Sequence, residues 1–435
     1  MTRTITMRLA AACLAAFSVG HAFAAKESVL FRFPAKGINA AGASPMAGLV
    51  AGPDGNLYGT TAAGGDSNCN CGTIFQLAPP SAGQTAWTET VLYSFQGYPN
   101  DGQLPRGSLA IDKKGNLYGT TQFGGASQSG TIFMLQNSCD SWTETILHQF
   151  AGPDGQLPYS TLTFDSAGNL YGTTSLGGSA NEGTLFKLQV AGADSTLTVL
   201  HDFAGGKDGG QPYSGIIFDS QGNLYGTTSS DGLTDAAGGT VYQITPGGTA
   251  TVLHSFTDIS DRCCKKNGGL FKQDGGFPYG DLARDAEGNI YGTTLFGCTS
   301  SQGGSLFRLA PPTAGKSEWT ETLPHCFVGN SNLNKHVDGS SPMGGVVIDS
   351  AGNLHGTTEG GGTIGDGTVY EVSPPPAGKK KWKEQLLLSF NSADGGGPFG
   401  NLIADTQGNL YGTASFGAPI SENAMQIGGV FRVTP

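Results

Sequence analysis

Short apolar segments separated by glycine-rich turns recur along the whole chain, and residues 108–150 contain one complete unit. Its apolar segments are residues 108–111, 116–121, 130–135 and 142–150. An Asp-Lys-Lys-Gly turn joins the first two, and such a turn suits a hairpin because Asp bonds its own backbone and Gly takes a positive φ. Both alternating faces carry apolar or aromatic residues, as at Leu117 and Tyr118. The pattern therefore predicts four short antiparallel strands that form one sheet packed on both sides.

The second predicted strand carries a motif that occurs seven times. The copies begin at Asn56, Asn116, Asn169, Asn223, Asn289, Asn353 and Asn409. Four copies read Asn-Leu-Tyr-Gly-Thr-Thr, and successive copies start 53 to 66 residues apart. A period of this length made of short β segments is typical of propeller blades. We predict an all-β fold for residues 25–435, a seven-bladed β-propeller of four-stranded antiparallel blades.

The two ends of the array are out of phase with the repeat. A copy of the fourth-strand pattern, Val29–Phe33, precedes the first unit, and the sequence stops at Pro435 after the third strand of the last unit. Residues 27–33 are therefore expected to pair with 428–433, complete the last blade and close the ring, which leaves no open sheet edge.

The repeated residues also carry a family resemblance. The form Gly-Asn-Leu-Tyr-Gly-Thr-Thr-x-x-Gly-Gly, followed by Gly-Thr-x-Phe, resembles the GloVer tandem-repeat family of exported bacterial proteins. The resemblance covers essentially all of residues 26–435. It implies export and a propeller-like array, and it assigns no catalytic residues.

The N-terminus predicts export independently. Arg3 and Arg8 precede a short apolar run, Leu9–Val19, and a small-x-small site at Ala22-Phe23-Ala24, which together describe a signal peptide over residues 1–24. The run is too short to span a bilayer, which takes about 20 residues. We expect a periplasmic or extracellular protein with no membrane span.

Composition narrows the classes of partner. Gly supplies 71 of the 435 residues, at fixed places in each repeat, and the net charge is −11. An acidic chain lacks the basic face that nucleic acid or an anionic membrane requires. We expect a monomer without a cofactor, whose partner is a neutral glycan or another protein.

A second motif, Asp-Gly-x-x-Pro, precedes the first strand in six of the seven units. Its Asp residues are Asp101, Asp154, Asp208, Asp274, Asp338 and Asp394, and the first unit lacks it. We interpret it as a turn in which Asp caps the backbone, Gly takes a positive φ and Pro fixes the strand entry. A ring of calcium loops is the alternative, but each loop offers one carboxylate where calcium takes six to eight oxygens.

The residue after this Pro should enter the first strand near the mouth of the central channel. Four of the seven are aromatic, namely Tyr159, Tyr213, Tyr279 and Phe399. Flat rings at a channel mouth can stack on sugars, so these four are the predicted ligand-binding residues. The alternative is that they pack between adjacent blades.

Catalytic and metal signatures are sparse. His355 replaces the motif Tyr, and Glu359 follows it in the same unit, so this pair is the one acid–base candidate. His148, His201, His254 and His325 share one fourth-strand position in successive units and should lie apart, which indicates no metal site. Neither a nucleophile elbow nor a phosphate loop occurs in the sequence.

Seven cysteines follow the signal peptide. The disulfide candidates Cys263, Cys264, Cys298 and Cys326 should share one face of the fifth blade. We predict at least one disulfide there, with Cys298 joined to Cys263 or Cys264 as the favoured pairing. Cys69 and Cys71 either pair or stay reduced, and Cys139 should be free.

Two functions remain open at this point. The first is an exported, non-enzymatic binding module that uses the loop-rich face. The second is a hydrolase or lyase of extracellular polysaccharide on a propeller scaffold. Near-regular repeats favour the first, because an active centre usually breaks repeat symmetry with several polar residues. A channel-mouth pocket with two or more converging carboxylates or histidines would favour the second.

Overall fold

The computed structural model describes residues 25–33, 42–65, 68–138, 141–230, 238–256, 274–298, 303–329, 338–391, 395–417 and 428–435. These residues form seven sheets of four antiparallel strands, arranged as the blades of a β-propeller. The predicted all-β, seven-bladed fold is therefore confirmed.

The strands follow the repeat closely, and we number them from the channel outward. The first strands are Val50–Ala51, Ala110–Ile111, Thr163–Phe164, Ile217–Phe218, Ala283–Arg284, Val347–Ile348 and Ile403–Ala404. The second strands are Leu57–Thr61, Leu117–Thr121, Leu170–Thr174, Leu224–Thr228, Ile290–Thr294, Leu354–Thr358 and Leu410–Ala414. The third strands are Thr73–Ala78, Thr131–Ser138, Thr184–Gln189, Thr240–Ile244, Ser305–Ala310, Thr368–Ser373 and Gly429–Thr434. The fourth strands are Thr88–Ser94, Ser141–Gln149, Thr196–Asp202, Ala250–Ser255, Thr320–Cys326, Lys383–Ser389 and Lys26–Arg32.

Smaller elements lie in the segments that connect the strands of the blades. Three two-stranded sheets pair Gly42–Ala43 with Ala63–Gly64, Gly102–Gln103 with Phe123–Gly124, and Gly339–Ser340 with Gly360–Gly361. Among the described residues, one 3-10 turn covers Gly206–Asp208. Within the described ranges, no helix has the length and apolar character needed to cross a membrane.

A carboxylate fixes the start of each second strand. In the third blade, Asp165 Oδ1 accepts a hydrogen bond from the Asn169 backbone N–H at 2.9 Å. Its Oδ2 accepts from Asn169 Nδ2 at 2.7 Å and from the Tyr171 hydroxyl at 3.2 Å. The same arrangement recurs in the other units, and in the sixth His355 takes the place of the Tyr. The Asp, Asn and Tyr of the repeat therefore have a structural role, because their hydrogen bonds stabilise the hairpin turn.

The Gly and the second Thr of the motif are required by the neighbouring third strand. Gly172 lies opposite Phe186, and a Cβ at this Gly would be 2.7 Å from the Phe186 Cζ, so a side chain does not fit. Thr174 Oγ1 and Thr184 Oγ1 lie 2.9 Å apart in a fully buried pair. Each hydroxyl thereby satisfies the other, because an unpaired buried hydroxyl would be costly.

Aromatic rings join each blade to the next. The ring that covers the motif Gly meets, edge-on or tilted, the Phe at the end of the preceding blade's fourth strand, with centroids 5.0 to 5.4 Å apart. The seven pairs are Phe33–Phe75, Phe95–Phe133, Phe150–Phe186, Phe203–Tyr242, Phe256–Phe307, Phe327–Tyr370 and Phe390–Phe431. These pairs form the centre of the hydrophobic core between blades.

The N-terminal strand belongs to the seventh sheet. Lys26–Arg32 pairs antiparallel with Gly429–Thr434, with Lys26 opposite Thr434. The Phe33 N–H then donates to the Gly428 carbonyl at 3.1 Å. The side chain of Phe33 is 2% exposed and packs on Phe75 of the first blade. One strand therefore supplies both the outer edge of the seventh sheet and its aromatic contact with the first.

We predict that a chain starting at residue 40 melts well below the full chain or aggregates, because it exposes the edge of Gly429–Thr434 and loses Phe33. In the full chain, Phe33→Ala should cost about 3–5 kcal/mol of unfolding free energy. Thermal unfolding monitored by circular dichroism measures both, with Ser28→Ala as a control expected to melt like the unchanged protein. Equal melting temperatures for all four chains would contradict the prediction.

Candidate binding site at the channel mouth

The Asp-Gly-x-x-Pro segments build one rim of the channel. Asp101 Oδ2 accepts hydrogen bonds from the Gln96 backbone N–H at 2.6 Å and from the Tyr93 hydroxyl at 2.9 Å. Equivalent backbone caps form at Asp154, Asp208 and Asp338. The predicted capping role of these Asp residues is confirmed, and Asp394 lies outside the described residues.

The bend before each Pro differs from the sequence prediction. The residue immediately before the Pro has a φ of 53° to 57° in all seven units: Ser44, Leu104, Leu157, Gln211, Phe277, Ser341 and Gly397. Six of these carry a side chain, although this left-handed region favours Gly. The motif Gly has a positive φ at Gly155, Gly209, Gly275 and Gly395, whereas Gly102 and Gly339 are in strands. The change in chain direction before the first strand therefore depends mainly on the positive φ of the residue immediately before the Pro.

All seven residues that follow the Pro line one cavity of about 90 Å³ at the channel mouth. They are Met46, Arg106, Tyr159, Tyr213, Tyr279, Met343 and Phe399. Each is half-buried, so each keeps a surface toward the channel. The structure thus brings together the four aromatic residues that the sequence placed at the mouth.

Three of these aromatic residues form a continuous arc across adjacent blades. The ring centroids of Tyr159 and Tyr213 lie 5.1 Å apart, and those of Tyr213 and Tyr279 lie 4.6 Å apart. The Arg106 guanidinium carbon lies 5.6 Å from the Tyr159 centroid, and Gln122 Nε2 donates to the Tyr159 hydroxyl. Burial, followed by the neighbouring Tyr279 and Tyr159, raises the pKa of Tyr213 to about 12. The rings pack on one another and present neutral hydroxyls at the mouth.

A polar pair lies beneath this arc. Asp281 Oδ1 accepts a hydrogen bond from the Gly215 N–H at 2.5 Å, and its Oδ2 accepts from Asn401 Nδ2 at 2.5 Å. Asn401 Oδ1 in turn accepts from the Gly345 N–H at 2.6 Å. Side chains from the fifth and seventh blades therefore meet inside the channel. Neither residue was singled out from the sequence.

A comparison of the seven units at one position reveals this pair in the sequence. The position just before the apolar residue of the first strand reads Gly48, Ser108, Thr161, Gly215, Asp281, Gly345 and Asn401 around the ring. Asp281 is the one charged residue at this position. Burial raises the pKa of the Asp281 carboxyl, and hydrogen bonds from Gly215, Thr161 and Asn401 offset part of that rise. A carboxylate has about four lone-pair sites, so it retains acceptor capacity toward a ligand in the channel.

The acid–base candidates from the sequence do not converge. His355 is 3% exposed, and its Nε2 lies 3.3 Å from Asp349 Oδ2 at the hairpin turn. Glu359 follows the other end of the same strand, so at about 3.3 Å per residue the two Cα atoms are roughly 13 Å apart. His355 takes the conformational role of the motif Tyr, and the pairing of His355 with Glu359 has no geometric support.

The fourth-strand histidines lie beside the capping Asp residues. The ring nitrogens of His148, His201 and His325 lie 2.7, 3.0 and 3.1 Å from the carboxylates of Asp154, Asp208 and Asp338. His254 lies beside Asp274 in the same way, and Glu321 is a second carboxylate neighbour. The sequence indicated no metal site because only the histidines were compared. The structure brings His254, Asp274 and Glu321 together with ligand atoms within 4.8 Å of one another.

Two disulfides are present among the described cysteines. Cys298 pairs with Cys326 at a Cα separation of 5.5 Å, and Cys69 pairs with Cys71. The favoured partner of Cys298 was therefore wrong, although the fifth blade does carry a disulfide. Both cysteines of this bond lie at the same end of the blade, after the second and at the end of the fourth strand. Cys139, Cys263 and Cys264 lie outside the described residues.

Fold and site together define a seven-bladed β-propeller made of tandem units with a polar, aromatic-rimmed channel mouth. The chain belongs to the Gloeobacter/Verrucomicrobia repeat family, whose repeat matches residues 17–192 and 138–331. No curated protein matches the chain.

Two solved structures resemble this chain at low sequence identity. An extracellular domain from B. thetaiotaomicron, of a protein named as a one-component system, is 12% identical with a TM-score of 0.54. That match covers 93% of this chain and 39% of the other, so the chain spans less than half of its length. The PQQ-bound aldose sugar dehydrogenase of Streptomyces coelicolor is 15% identical with a TM-score of 0.41, over 76% of this chain and 94% of the other. The match to the B. thetaiotaomicron domain shows a shared fold and nothing more.

Exchanging the two channel residues tests their hydrogen bond. Asp281→Asn leaves one of two N–H donors without an acceptor and should cost about 1–3 kcal/mol. Asn401→Asp places a second carboxylate against Asp281 and should also destabilise. Combining Asp281→Asn with Asn401→Asp restores a donor opposite each acceptor. We expect the double variant to recover stability, with a coupling of about 0.5–3 kcal/mol in denaturant unfolding. Additive losses would contradict the contact.

The raised pKa of Glu144 predicts that the stability of the protein depends on pH. Burial, followed by the charge of Asp101, raises the pKa of Glu144 to about 8. An unfolded Glu titrates near 4.3. Between these values the folded state binds more protons, so stability should fall as pH rises from about 4.5 to 8. Glu144→Gln should flatten this decline in urea unfolding, whereas Glu287→Gln on an exposed turn should leave it unchanged. Identical pH profiles for the two variants would contradict this assignment.

Proposed function

We propose that this protein is an exported, non-enzymatic binding module that recognises a neutral glycan at the channel mouth. The observation that carries the proposal is the arc of Tyr159, Tyr213 and Tyr279 above the Asp281 carboxylate. Half-buried rings offer apolar faces to a sugar, and a carboxylate accepts hydrogen bonds from its hydroxyl groups. The combination suits a ligand that is apolar on one face and rich in hydroxyls elsewhere.

The dimensions of the mouth restrict how such a ligand binds. Cavities that enclose a small molecule usually measure about 300–1,000 Å³. The mouth measures about 90 Å³, so it admits one polar group while the rest of the ligand lies across the rim. An extended glycan that touches the rim with several units fits this shape. The net charge of −11 favours a neutral chain over a polyanion.

The lining also bears on the enzymatic alternative. Glycoside hydrolysis ordinarily uses two carboxyl groups about 5 to 10 Å apart. Among the described residues that line the mouth, Asp281 is the one carboxylate and no histidine is present. This composition supports recognition over hydrolysis at this site.

Export is part of the same proposal. The signal peptide over residues 1–24 lies outside the described residues and stays a prediction. Two disulfides and the repeat family are consistent with an oxidising compartment outside the cytoplasm.

A glycan array followed by calorimetry on the best neutral ligand tests the function. Tyr279 lies at the end of the arc and Phe399 lies in the same lining, so each can be removed without breaking the Tyr159–Tyr213 contact. Tyr279→Ala and Phe399→Ala should each weaken binding by about 0.5–1.5 kcal/mol, or two- to twelve-fold.

Tyr98→Ala is the matched control, because this aromatic ring is 55% exposed and does not line the mouth. Its affinity should equal that of the unchanged protein, and all three variants should melt near the same temperature. Absence of any glycan binding, or a collapse of stability in the Tyr279 and Phe399 variants, would overturn the proposal.

A further inference from the structure

Three side chains with metal-binding atoms meet at the seam between the fourth and fifth blades. His254 lies on the fourth strand of the fourth blade, Glu321 on the fourth strand of the fifth, and Asp274 on the segment between them. His254 Nε2 is 3.2 Å from Asp274 Oδ2 and 3.8 Å from Glu321 Oε1. The exposed fractions of the three side chains are 19%, 10% and 10%. The cluster is therefore largely enclosed.

The histidine at this seam differs in its hydrogen bonding from the histidines at the other seams. His148, His201 and His325 each form a hydrogen bond to the capping Asp. His254 Nε2 forms no hydrogen bond among the described residues, although Asp274 Oδ2 lies 3.2 Å away. The ring itself is fixed in the same way at all four seams, edge-on to the Phe two residues later, which is Phe256 for His254. The imidazole nitrogen thus points into a space bounded by two carboxylates.

The chemistry of the three groups suits a divalent cation. The site is largely enclosed, and it places one imidazole nitrogen beside two carboxyl groups. An imidazole nitrogen and carboxylate oxygens are all metal ligands, and these ligand atoms already lie within 4.8 Å of one another.

We propose that His254, Asp274 and Glu321 bind one divalent first-row cation, with Zn²⁺ as the best match. One nitrogen and two oxygens at about 2.0–2.2 Å suit Zn²⁺, which commonly takes three protein ligands and a water. Tetrahedral geometry at that radius places ligand atoms roughly 3.3–3.6 Å apart. The observed 3.2 Å already fits, and the observed 3.8 Å must shorten by a few tenths of an ångström. The separation of the Asp274 and Glu321 ligand atoms is at most 4.8 Å, so it must shorten by no more than about 1.5 Å. The ion would join two adjacent blades and the segment between them.

The sequence offers a matched control at the next seam. Glu384 occupies the fourth-strand position of Glu321, and His325 with Asp338 completes the same three residue types. Within the described residues, only the fourth–fifth seam gathers its three ligand atoms within 4.8 Å. Glu321→Gln and Glu384→Gln are therefore the same change at equivalent positions, one inside the site and one outside it.

The experiment is Zn²⁺ binding by the untagged full-length protein, with free cysteines alkylated so that thiolates do not compete. We expect one equivalent of Zn²⁺ by calorimetry and by metal analysis after gel filtration, and a higher melting temperature with Zn²⁺ than with EDTA. Glu321→Gln and His254→Gln should weaken binding at least ten-fold and abolish the thermal shift. Glu384→Gln should bind like the unchanged protein.

Three results would overturn the site. These are no Zn²⁺ bound by the unchanged protein, unaltered affinity in both Glu321→Gln and His254→Gln, or equal loss in Glu384→Gln. Circular dichroism of each metal-free variant separates loss of a ligand from loss of the fold. If Glu321→Gln unfolds, His254→Gln alone decides the outcome.

Discussion

The contact between the motif Gly and the aromatic ring that covers it sets the geometry of the whole propeller. A Cβ on Gly59 would lie 2.6 Å from Phe75 Cζ, so only a residue without a side chain lets the ring approach the second strand this closely. The same ring meets the Phe that ends the preceding blade, which is Phe33 for the first blade. A side chain at this Gly would push the ring outward and open the gap between two blades. The absence of a Cβ at the motif Gly of each unit is therefore required for the packing within a blade and for the packing between blades.

The rest of the repeat holds that contact in register. The Asp–Asn–Tyr hydrogen bonds fix where each second strand begins, and the buried Thr174–Thr184 pair fixes its far end. In the segment before each first strand, the residue preceding the Pro has a φ of 53° to 57° in all seven units, and the chain turns there toward the channel. The residue after the Pro lines the mouth at all seven positions as a consequence. The position of the mouth lining therefore follows from the backbone, and the units differ in the side chain that they place there.

The sequence predicts features that depend on contacts within one unit, and it does not predict contacts between distant units. Strand number, blade number and the mouth residues such as Tyr213 depend on contacts inside one unit, and seven repetitions make those visible. The Asp281–Asn401 bond joins residues 120 positions apart, and no local pattern marks which residues face each other across a ring. The Cys298–Cys326 pairing depends in the same way on which strand ends meet. Capping by Asp101 was predictable because its partners are local, whereas the mutual packing of the three Tyr rings required the angle between blades.

Departures from the repeat gather in and beside the fifth blade. This unit supplies Asp281 to the channel, Tyr279 to the aromatic arc and the Cys298–Cys326 disulfide to its own rim. Its seam with the fourth blade holds His254 next to Glu321. Asp281 occurs where one unit differs from its neighbours, whereas the Tyr arc uses one position that three units share. Because the aromatic and hydrogen-bonded core of the fifth blade is intact, including Tyr291 bonded to Asp285 and Phe307 against Phe256, these polar residues were accommodated without loss of the fold. The scaffold tolerates variation at Asp281, His254 and Glu321 because none of these residues takes part in the aromatic pairs or in the Asp–Asn–Tyr hydrogen bonds.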